Sequence, residues 1–328
     1  MALESNKKLS IIYTLEILKE YSDENHLLTQ KDIAERIKQI YNMDCERKSI
    51  ASNIDSLIDI GIDIIKIPHK GSYIADRTLE PSEVSFIVDA LFSSKSINGK
   101  QAKDLAIKIS SQLSKYQRKK YNYVFKSDQI NRTDNKELFY NIEIIQEAID
   151  KNKKILFQYV RPYFEKGNRE KPYVINPYFL VNSQGRYYLI CNYDYFNEIG
   201  NYKVDFIKNI KILEDERKPI TEMKGFEKGL DISKYINEHI YVFGKDSITA
   251  TLKLSDENAT TYVYEWFGEN AKIYKKDNEI YAEIKSNEQA LIYWCLQYGE
   301  SVELISPKET RDILKEKINK VLAKYKGE

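Results

Sequence analysis

Few side chains in this sequence can do covalent or metal chemistry, and those that can are dispersed. His26, His69 and His239 are the three histidines, and none has a second metal-type ligand at useful spacing, whereas zinc sites draw on closely spaced ligand pairs. Cys45, Cys191 and Cys295 lie far apart without a C-x-x-C, and Cys191 has no histidine partner in view. The loops G-x-x-x-x-G-K-[ST] and G-x-G-x-x-G and the elbow G-x-S-x-G do not occur, so nucleotide hydrolysis, dinucleotide binding and elbow-type hydrolysis lack their usual backbone. The expectation is a binding protein, not an enzyme, with no cofactor and no metal. A carboxylate pair assembled by folding, drawn from 50 acidic residues, is the one enzymatic alternative.

Hydrogen-bonding groups are better organised. If residues 47–60 form a helix, Ile50, Ile54, Leu57 and Ile58 make an apolar stripe, and Ser49, Ser52, Asn53 and Ser56 fall on the other side. Short donors and acceptors of this kind can read base edges in a major groove, while Arg47, Lys48 and Lys70 can meet phosphates. The elements that must hold them are legible. A first helix over 7–22 places Ile11, Leu15 and Leu18 at helical spacing. Thr29-Gln-Lys-Asp32 caps a second, with Ile33, Ile37 and Ile40, and Gly61 stops the third. Asp63–Ile67 and Ser72–Ile74 flank Pro68-His-Lys-Gly71 as a hairpin, in whose turn His69 is either a phosphate contact or an exposed loop residue. Three helices and a hairpin are the order of a winged helix-turn-helix. Residues 1–77 nevertheless hold eight Lys and three Arg against thirteen Asp and Glu, a net of −2. That is not a basic footprint, so a merely solvated serine face is the alternative.

Residues 78–150 read as a helical bridge. Val84, Ile87, Val88 and Leu91 repeat at helical spacing, a second helix spans Lys100–Leu113, and a third Leu138–Ile149. Between them, Lys115–Tyr123 interleaves basic residues with tyrosines, either a stacking surface for single strands or a solvated helix end.

From 151 the period changes. Lys154–Val160 alternates with Ile155, Phe157 and Tyr159 on one face; Tyr173–Val181 and Arg186–Asn192 flank the turn Asn182-Ser-Gln-Gly185; Tyr202–Ile207 leads into Ile210–Leu213. Four or five short strands rich in Tyr and Val predict a small, strongly curved sheet or barrel. The series Phe157-x-Tyr159, Tyr173-x-x-x-Pro177-x-x-Leu180, Gly185-x-Tyr187-Tyr188-Leu189 and Tyr202-Lys-Val-Asp-x-Ile207 resembles the WYL domain of bacterial transcriptional regulators, whose triplet is here Tyr187-Tyr188-Leu189. The resemblance implies an Sm-like β-barrel with a ligand-sensing face, often for a nucleotide or nucleic-acid fragment. It places ligand contacts at Tyr159, Asn176, Tyr178, Tyr187, Tyr188, Lys203 and Phe206. The family usually has arginine at both of the last two positions. A lysine there is a point charge without a planar fork, and Phe206 offers base stacking instead. The resemblance extends to the head, where Arg47-Lys-Ser-Ile50, Ile54-Asp-Ser-Leu57 and Gly61-Ile62 look like the recognition helix of these regulators. Barrel packing is the plainer account of the tyrosines.

After Pro219, residues 221–245 read as a linker with helical residues to about Ile240. The remainder, 246–328, runs strand, helix, two strands around Asp277-Asn278, helix, strand, helix, the ferredoxin-like order. Ser286 is expected to cap one helix and Ser306-Pro-Lys-Glu309 to open the last with a capping box. Ile292, Trp294 and Cys295 read as core. This part resembles the extension that follows WYL domains, a module linked to dimer contacts.

The totals agree with an α+β multidomain protein. A chain of 328 residues exceeds one ordinary core, and its 42% hydrophobic and 31% charged residues suit a folded chain. The net charge of +1 argues neither for nor against a polyanionic partner. Sparse cysteines and the lack of an N-terminal apolar run or an 18-residue apolar stretch lead to the expectation of a cytoplasmic protein without a membrane partner. The resulting division is a winged helix-turn-helix over 1–77, a bridge over 78–150, a WYL ligand-sensing domain over 151–220, a linker over 221–245 and a ferredoxin-like domain over 246–328. The expected function is a homodimeric regulator that binds double-stranded DNA, its barrel sensing a nucleotide or single-stranded nucleic-acid ligand. The alternative is a single-strand-binding accessory protein of a defence or processing system.

Overall fold

Thr29 opens the second helix by the predicted box: its hydroxyl accepts from the Asp32 N–H at 3.2 Å, and Asp32 Oδ2 accepts from the Thr29 N–H at 2.8 Å. The computed structural model describes residues 9–121, 136–160, 172–229, 231–241 and 247–326. They fold as two compact units, 1–134 and 135–328.

In the first unit, α1 (Leu9–Tyr21), α2 (Gln30–Tyr41) and α3 (Arg47–Asp59) bury Ile17, Leu18, Ile33, Ile37, Ile50, Ile54 and Leu57 in one core. Ile40 and Ile58, expected in those stripes, are 49% and 37% exposed; each lies in the last turn of its helix, beyond the buried residues. Gly61, at φ +93°, ends α3 in a Schellman arrangement: its N–H donates to Ile58 O, and the Ile62 N–H to Leu57 O. β1 (Ile64–Ile67) and β2 (Gly71–Ile74) form the expected hairpin. Leu28 adds a third strand position by exchanging two backbone bonds with Ser72, of 3.0 and 2.8 Å. Only glycine fits at 71, where φ is +130° and a Cβ would come within 2.6 Å of Leu28 O.

The bridge begins with α4 (Pro81–Ser93), α5 (Gly99–Ser110) and the single turn α6 (Lys115–Arg118). Its attachment to the head is polar. The Arg77 guanidinium donates to the carbonyls of Lys19, Ser22 and Gln112, tying the end of α1 to the end of α5, and Ser114 Oγ donates to the buried Asp23 carboxylate at 2.6 Å. The two described tyrosines of the basic run, Tyr116 and Tyr121, serve this packing. Tyr116 stacks on His26, Tyr121 is buried with its hydroxyl on Pro81 O, and Lys115 lies over Tyr21. Asn122 and Tyr123 fall outside the described residues.

In the second unit α7 (Leu138–Asp150) belongs with the barrel and not with the bridge, since the buried Asn141 amide donates to Ile207 O at 2.9 Å. β3 (Lys153–Tyr159), β4 (Pro172–Ser183), β5 (Arg186–Asn192), β6 (Gly200–Lys203) and β7 (Ile207–Glu216) form an antiparallel sheet in the order β6-β5-β4-β3-β7. Gln184 and Gly185, both at positive φ, make the tight β4–β5 turn. Tyr202–Ile207, read above as one strand, is broken by a 3-10 turn at Val204–Phe206 that joins the two edge strands, as a small barrel requires. The supposed linker is not free. Met223 and Tyr235 are buried with Tyr178, Phe179, Val181, Ile190 and Ile199, completing a second core on the barrel's flank.

β8 (Ser247–Leu254), α9 (Ala259–Phe267), β9 (Lys272–Lys276), β10 (Glu279–Asn287), α10 (Glu288–Gln297), β11 (Val302–Ser306) and α11 (Lys308–Tyr325) follow, with strand order β11-β8-β10-β9. That is the ferredoxin-like arrangement, with Ile292, Trp294 and Cys295 in its core. The caps differ from expectation. Strand β10 continues through Ser286, so Asn287 caps α10, its side chain accepting from Ala290 N at 3.1 Å. Ser306 ends β11, leaving Pro307 as N-cap of α11 without a side-chain cap bond.

Candidate nucleic-acid interfaces

On α3 the side buried against α1 and α2 is set by Ile50, Ile54 and Leu57, which leaves Arg47, Lys48, Ser49, Ser52 and Ser56 exposed. Lys70 is exposed in the hairpin turn, beside His69 at φ +63°. Asn53 is not on this face. It sits at the margin of the buried stripe, and its amide donates to Ser10 Oγ at 3.0 Å and Thr14 Oγ1 at 3.1 Å, two hydroxyls buried on α1. Asn53 therefore braces α3 on α1 and is not free to read a base. Asp55 and Asp59 take part of the exposed face instead, and Lys66 of β1 is paired with Asp55. Serine hydroxyls can donate or accept at base edges, and an aspartate accepts from cytosine N4. The exposed face of α3 thus presents hydroxyls and carboxylates, with its cations confined to the first turn of α3 and the hairpin.

On the barrel, the residues expected to contact ligand divide into two groups. Tyr159, Tyr188, Lys203 and Phe206 come together. The Lys203 backbone N–H donates to Tyr159 Oη at 3.2 Å, and its ammonium lies 5.9 Å from the ring centres of both Tyr188 and Phe206. Tyr159 meets Phe206 edge-on at 5.8 Å. Burial, then the positive charge of Arg186, lowers the Lys203 pKa, with Asp205 acting the other way. A half-buried ammonium against ring faces is poorly hydrated, which strengthens its attraction for an incoming anion. Tyr187 is half-buried on the opposite side of β5 from Tyr188.

Asn176 and Tyr178 form the other group, and neither faces a ligand. Both are buried in a closed network: the Asn176 amide donates to Asn192 Oδ1 at 2.9 Å and Asp194 Oδ1 at 2.8 Å, its oxygen accepts from Lys218 N, and Tyr178 Oη donates to Asn192 Oδ1 at 2.9 Å. Burial pushes the Tyr178 phenol well above its ordinary pKa, so it stays a neutral donor. Lys154 Nζ completes the set at 2.7 Å from Asp194, which these bonds hold ionised.

The sequence reading missed two features. Arg186, at the start of β5 and on the same strand face as Tyr188, is 2.7 Å from Asp205, a carboxylate with no side-chain exposure. It supplies a guanidinium near Lys203 that the expected arginine positions lack. The second is a ring array. Tyr202 lies 4.8 Å from Tyr159, 5.3 Å from Phe157 and 5.6 Å from Tyr173; Tyr193 lies 6.4 Å from Tyr173 and Tyr202, and its hydroxyl meets that of Tyr202. Burial raises the pKa of both phenols, and the shared contact raises Tyr202 further. Centroids 4.5–7 Å apart with edge contacts are the favoured geometry for aromatic clusters.

Two of the three thiols, Cys191 and Cys295, are buried. Burial pushes Cys191 far up and Cys295 up to about 12, leaving both protonated and inert. Among the described residues no three His, Cys, Asp or Glu side chains converge as metal ligands, and no helix is long and apolar enough to cross a membrane.

Residues 140–212 match the WYL domain family model, and residues 246–322 match that of the WCX domain. No curated protein matches the chain. Among solved structures it is similar to proteasome accessory factor B/C (PafBC) of Arthrobacter aurescens, at 13% identity and TM-score 0.28, covering 98% of this chain and 49% of that one. It is also similar to a CRISPR Cas-related protein, at 15% identity and TM-score 0.40, covering 97% of this chain and 84% of that one. The chain spans about half the length of the Arthrobacter protein.

Proposed function

We propose, for a chain that carries a WYL domain followed by a WCX domain, a homodimeric DNA-binding transcriptional regulator whose barrel senses a nucleotide or single-stranded nucleic-acid ligand. In coarser terms the chain is a WYL-domain regulatory or accessory protein. The observation that carries the finer reading is the Lys203 ammonium set among the rings of Tyr188 and Phe206, with Tyr159 beside them and Arg186 close by. A ring face accepts any base and an ammonium supports a phosphate, so the combination suits a nucleotide unit. On the head, Ser49, Ser52 and Ser56 would read base edges while Arg47, Lys48 and Lys70 hold phosphates. Ligand occupancy would then alter operator affinity by a coupling free energy, and the operator affinity would alter ligand binding in turn.

One feature favours the accessory reading: Asp55 and Asp59 stand on the exposed face of α3, in a head of net charge −2 over residues 1–77. Selection of duplexes from a random pool, followed by light scattering of the complex, separates the two. A regulator selects a pseudo-palindrome and binds it as a two-fold dimer. Recovery of no preferred duplex, with retained binding of single strands, would move the assignment to the accessory protein.

A further inference from the structure

The β5–β6 loop, residues 193–197, holds two large rings out in water: Tyr195 is 95% exposed and Phe196 59%. Single exposed apolar side chains are ordinary on a loop free to move, but this loop is braced on both sides of Tyr195. The Phe196 N–H closes the turn on Tyr193 O at 3.0 Å, and Asn192 Nδ2 donates to Phe196 O at 2.9 Å. The Lys224 N–H donates to Asn197 O at 3.0 Å, and Lys218 Nζ to Asn197 Oδ1 at 2.9 Å. Asn176 and Lys154 hold the Asp194 carboxylate. Ordering a segment costs conformational entropy, and here the ordered segment leaves most of two aromatic rings in water. Preorganised exposed rings are what a stacking surface needs.

The loop is also continuous with the Lys203 site. Phe196 is 6.2 Å from Tyr193, which leads through Tyr202 and Tyr159 to Phe206 in steps of 6.4, 4.8 and 5.8 Å. Cations stand at both ends, with Lys203 and the Asp205-paired Arg186 at one, and beside the loop Lys154, paired with Asp194, and Lys218, 3.8 Å from Glu222. A mononucleotide at Lys203 would leave the far end uncovered, whereas an extended strand would lay a base on each end and phosphates beside both sets of cations.

We propose that loop 193–197 is a second stacking subsite, so that the barrel's ligand is a single-stranded nucleic acid longer than one nucleotide. The proposal rests on the nucleic-acid reading of the Lys203 site. Asn176, Tyr178 and Asn192 then act as positioning residues, holding the loop without touching the ligand.

The test is a length series of adenine mono-, di-, tetra- and hexanucleotides, in deoxyribo and ribo forms, titrated against the full chain and the double variant Tyr195→Ala/Phe196→Ala. Both substituted side chains are exposed, so the fold is kept. Affinity should rise with length in the wild type. The double variant should weaken the hexanucleotide by about 5- to 150-fold, the span expected for one stacked base, and leave the mononucleotide unchanged. Equal wild-type affinity at all lengths overturns the proposal while leaving the Lys203 reading intact. So does a length gain that survives the double variant, because the added nucleotides would then lie elsewhere, or a loss equal at every length. Absence of binding at every length overturns the nucleic-acid reading itself.

Discussion

Asn53 and Ser52 are neighbours on α3 with opposite surroundings, and substituting each by alanine separates bracing from base reading. Asn53→Ala removes two hydrogen bonds donated to Ser10 and Thr14, hydroxyls that are 7% and 0% exposed. At a net 0.5–1.5 kcal/mol per bond, the expected cost is about 1–3 kcal/mol. It should fall locally, as a loss of about 5- to 150-fold in hydrogen-exchange protection of α1 and α3 amides, read in the intact chain under conditions where exchange reports opening free energy. Ser52 is exposed, so Ser52→Ala should change stability by no more than about 0.5 kcal/mol. If α3 reads DNA, Ser52→Ala lowers the preference for a selected duplex over a random one, by about 1–3 kcal/mol for a full base contact, while Asn53→Ala leaves that preference unchanged. The reverse pattern, unchanged exchange in Asn53→Ala with lost discrimination, would refute the inward placement of Asn53.

Lys203 should confer an unusual pH dependence on ligand binding. Its proton is lost below the ordinary lysine value of 10.5 because burial and Arg186 disfavour the ammonium, so affinity for an adenine oligonucleotide is present below that lowered pKa and fades as pH rises through it. Lys203→Arg, charged throughout, should flatten the decline, and an identical pH profile in both proteins would exclude Lys203 as a phosphate contact. Phe206→Ala should weaken the same oligonucleotide by about 1–3 kcal/mol through lost stacking. Phe206→Arg should instead steepen the salt dependence, each further phosphate contact adding about 0.7 to the logarithmic slope for a single strand. Unchanged affinity in the first variant and an unchanged slope in the second would remove the ring from the site.

What could be read ahead of the structure was whatever depends on neighbours in the chain. The Thr29–Asp32 box, the stop at Gly61, the tight turn at Gln184-Gly185 and the β-α-β-β-α-β order after residue 246 are local signals, and the structure contains each of them. What escaped depends on partners distant in sequence. Asn53 looks like an outer-face polar residue until α1 presents Ser10 and Thr14 some 40 positions away. Asn176 and Tyr178 carry groups suited to ligands, but the β4–β5 register lays Asn176 opposite Asn192, and the pair saturates itself in the interior. The ring array draws on β3, β4, β6 and the β5–β6 loop, and each tyrosine alone is indistinguishable from ordinary strand packing. Arg186 went unremarked because its significance lies in Asp205, which a 3-10 turn tucks beneath it.

The burial of Met223 and Tyr235 against Tyr178, Phe179, Val181, Ile190 and Ile199 bears on how this module could be cut or recombined. The family match ends at residue 212, yet the side chains that close the flank of the barrel come later. A gene fusion joined at 212 would bare at least five apolar residues to water, at about 1.5–3 kcal/mol for each large side chain uncovered. A donor fragment carried through Tyr235 would keep that surface sealed. Met223 Sδ also accepts from Asn192 Nδ2, and the Lys224 N–H holds Asn197 O. The same few residues are therefore at once the outer wall of one domain, a brace for its aromatic loop and the tether to the next. Inheritance should favour barrel, tether and terminal domain travelling as one cassette.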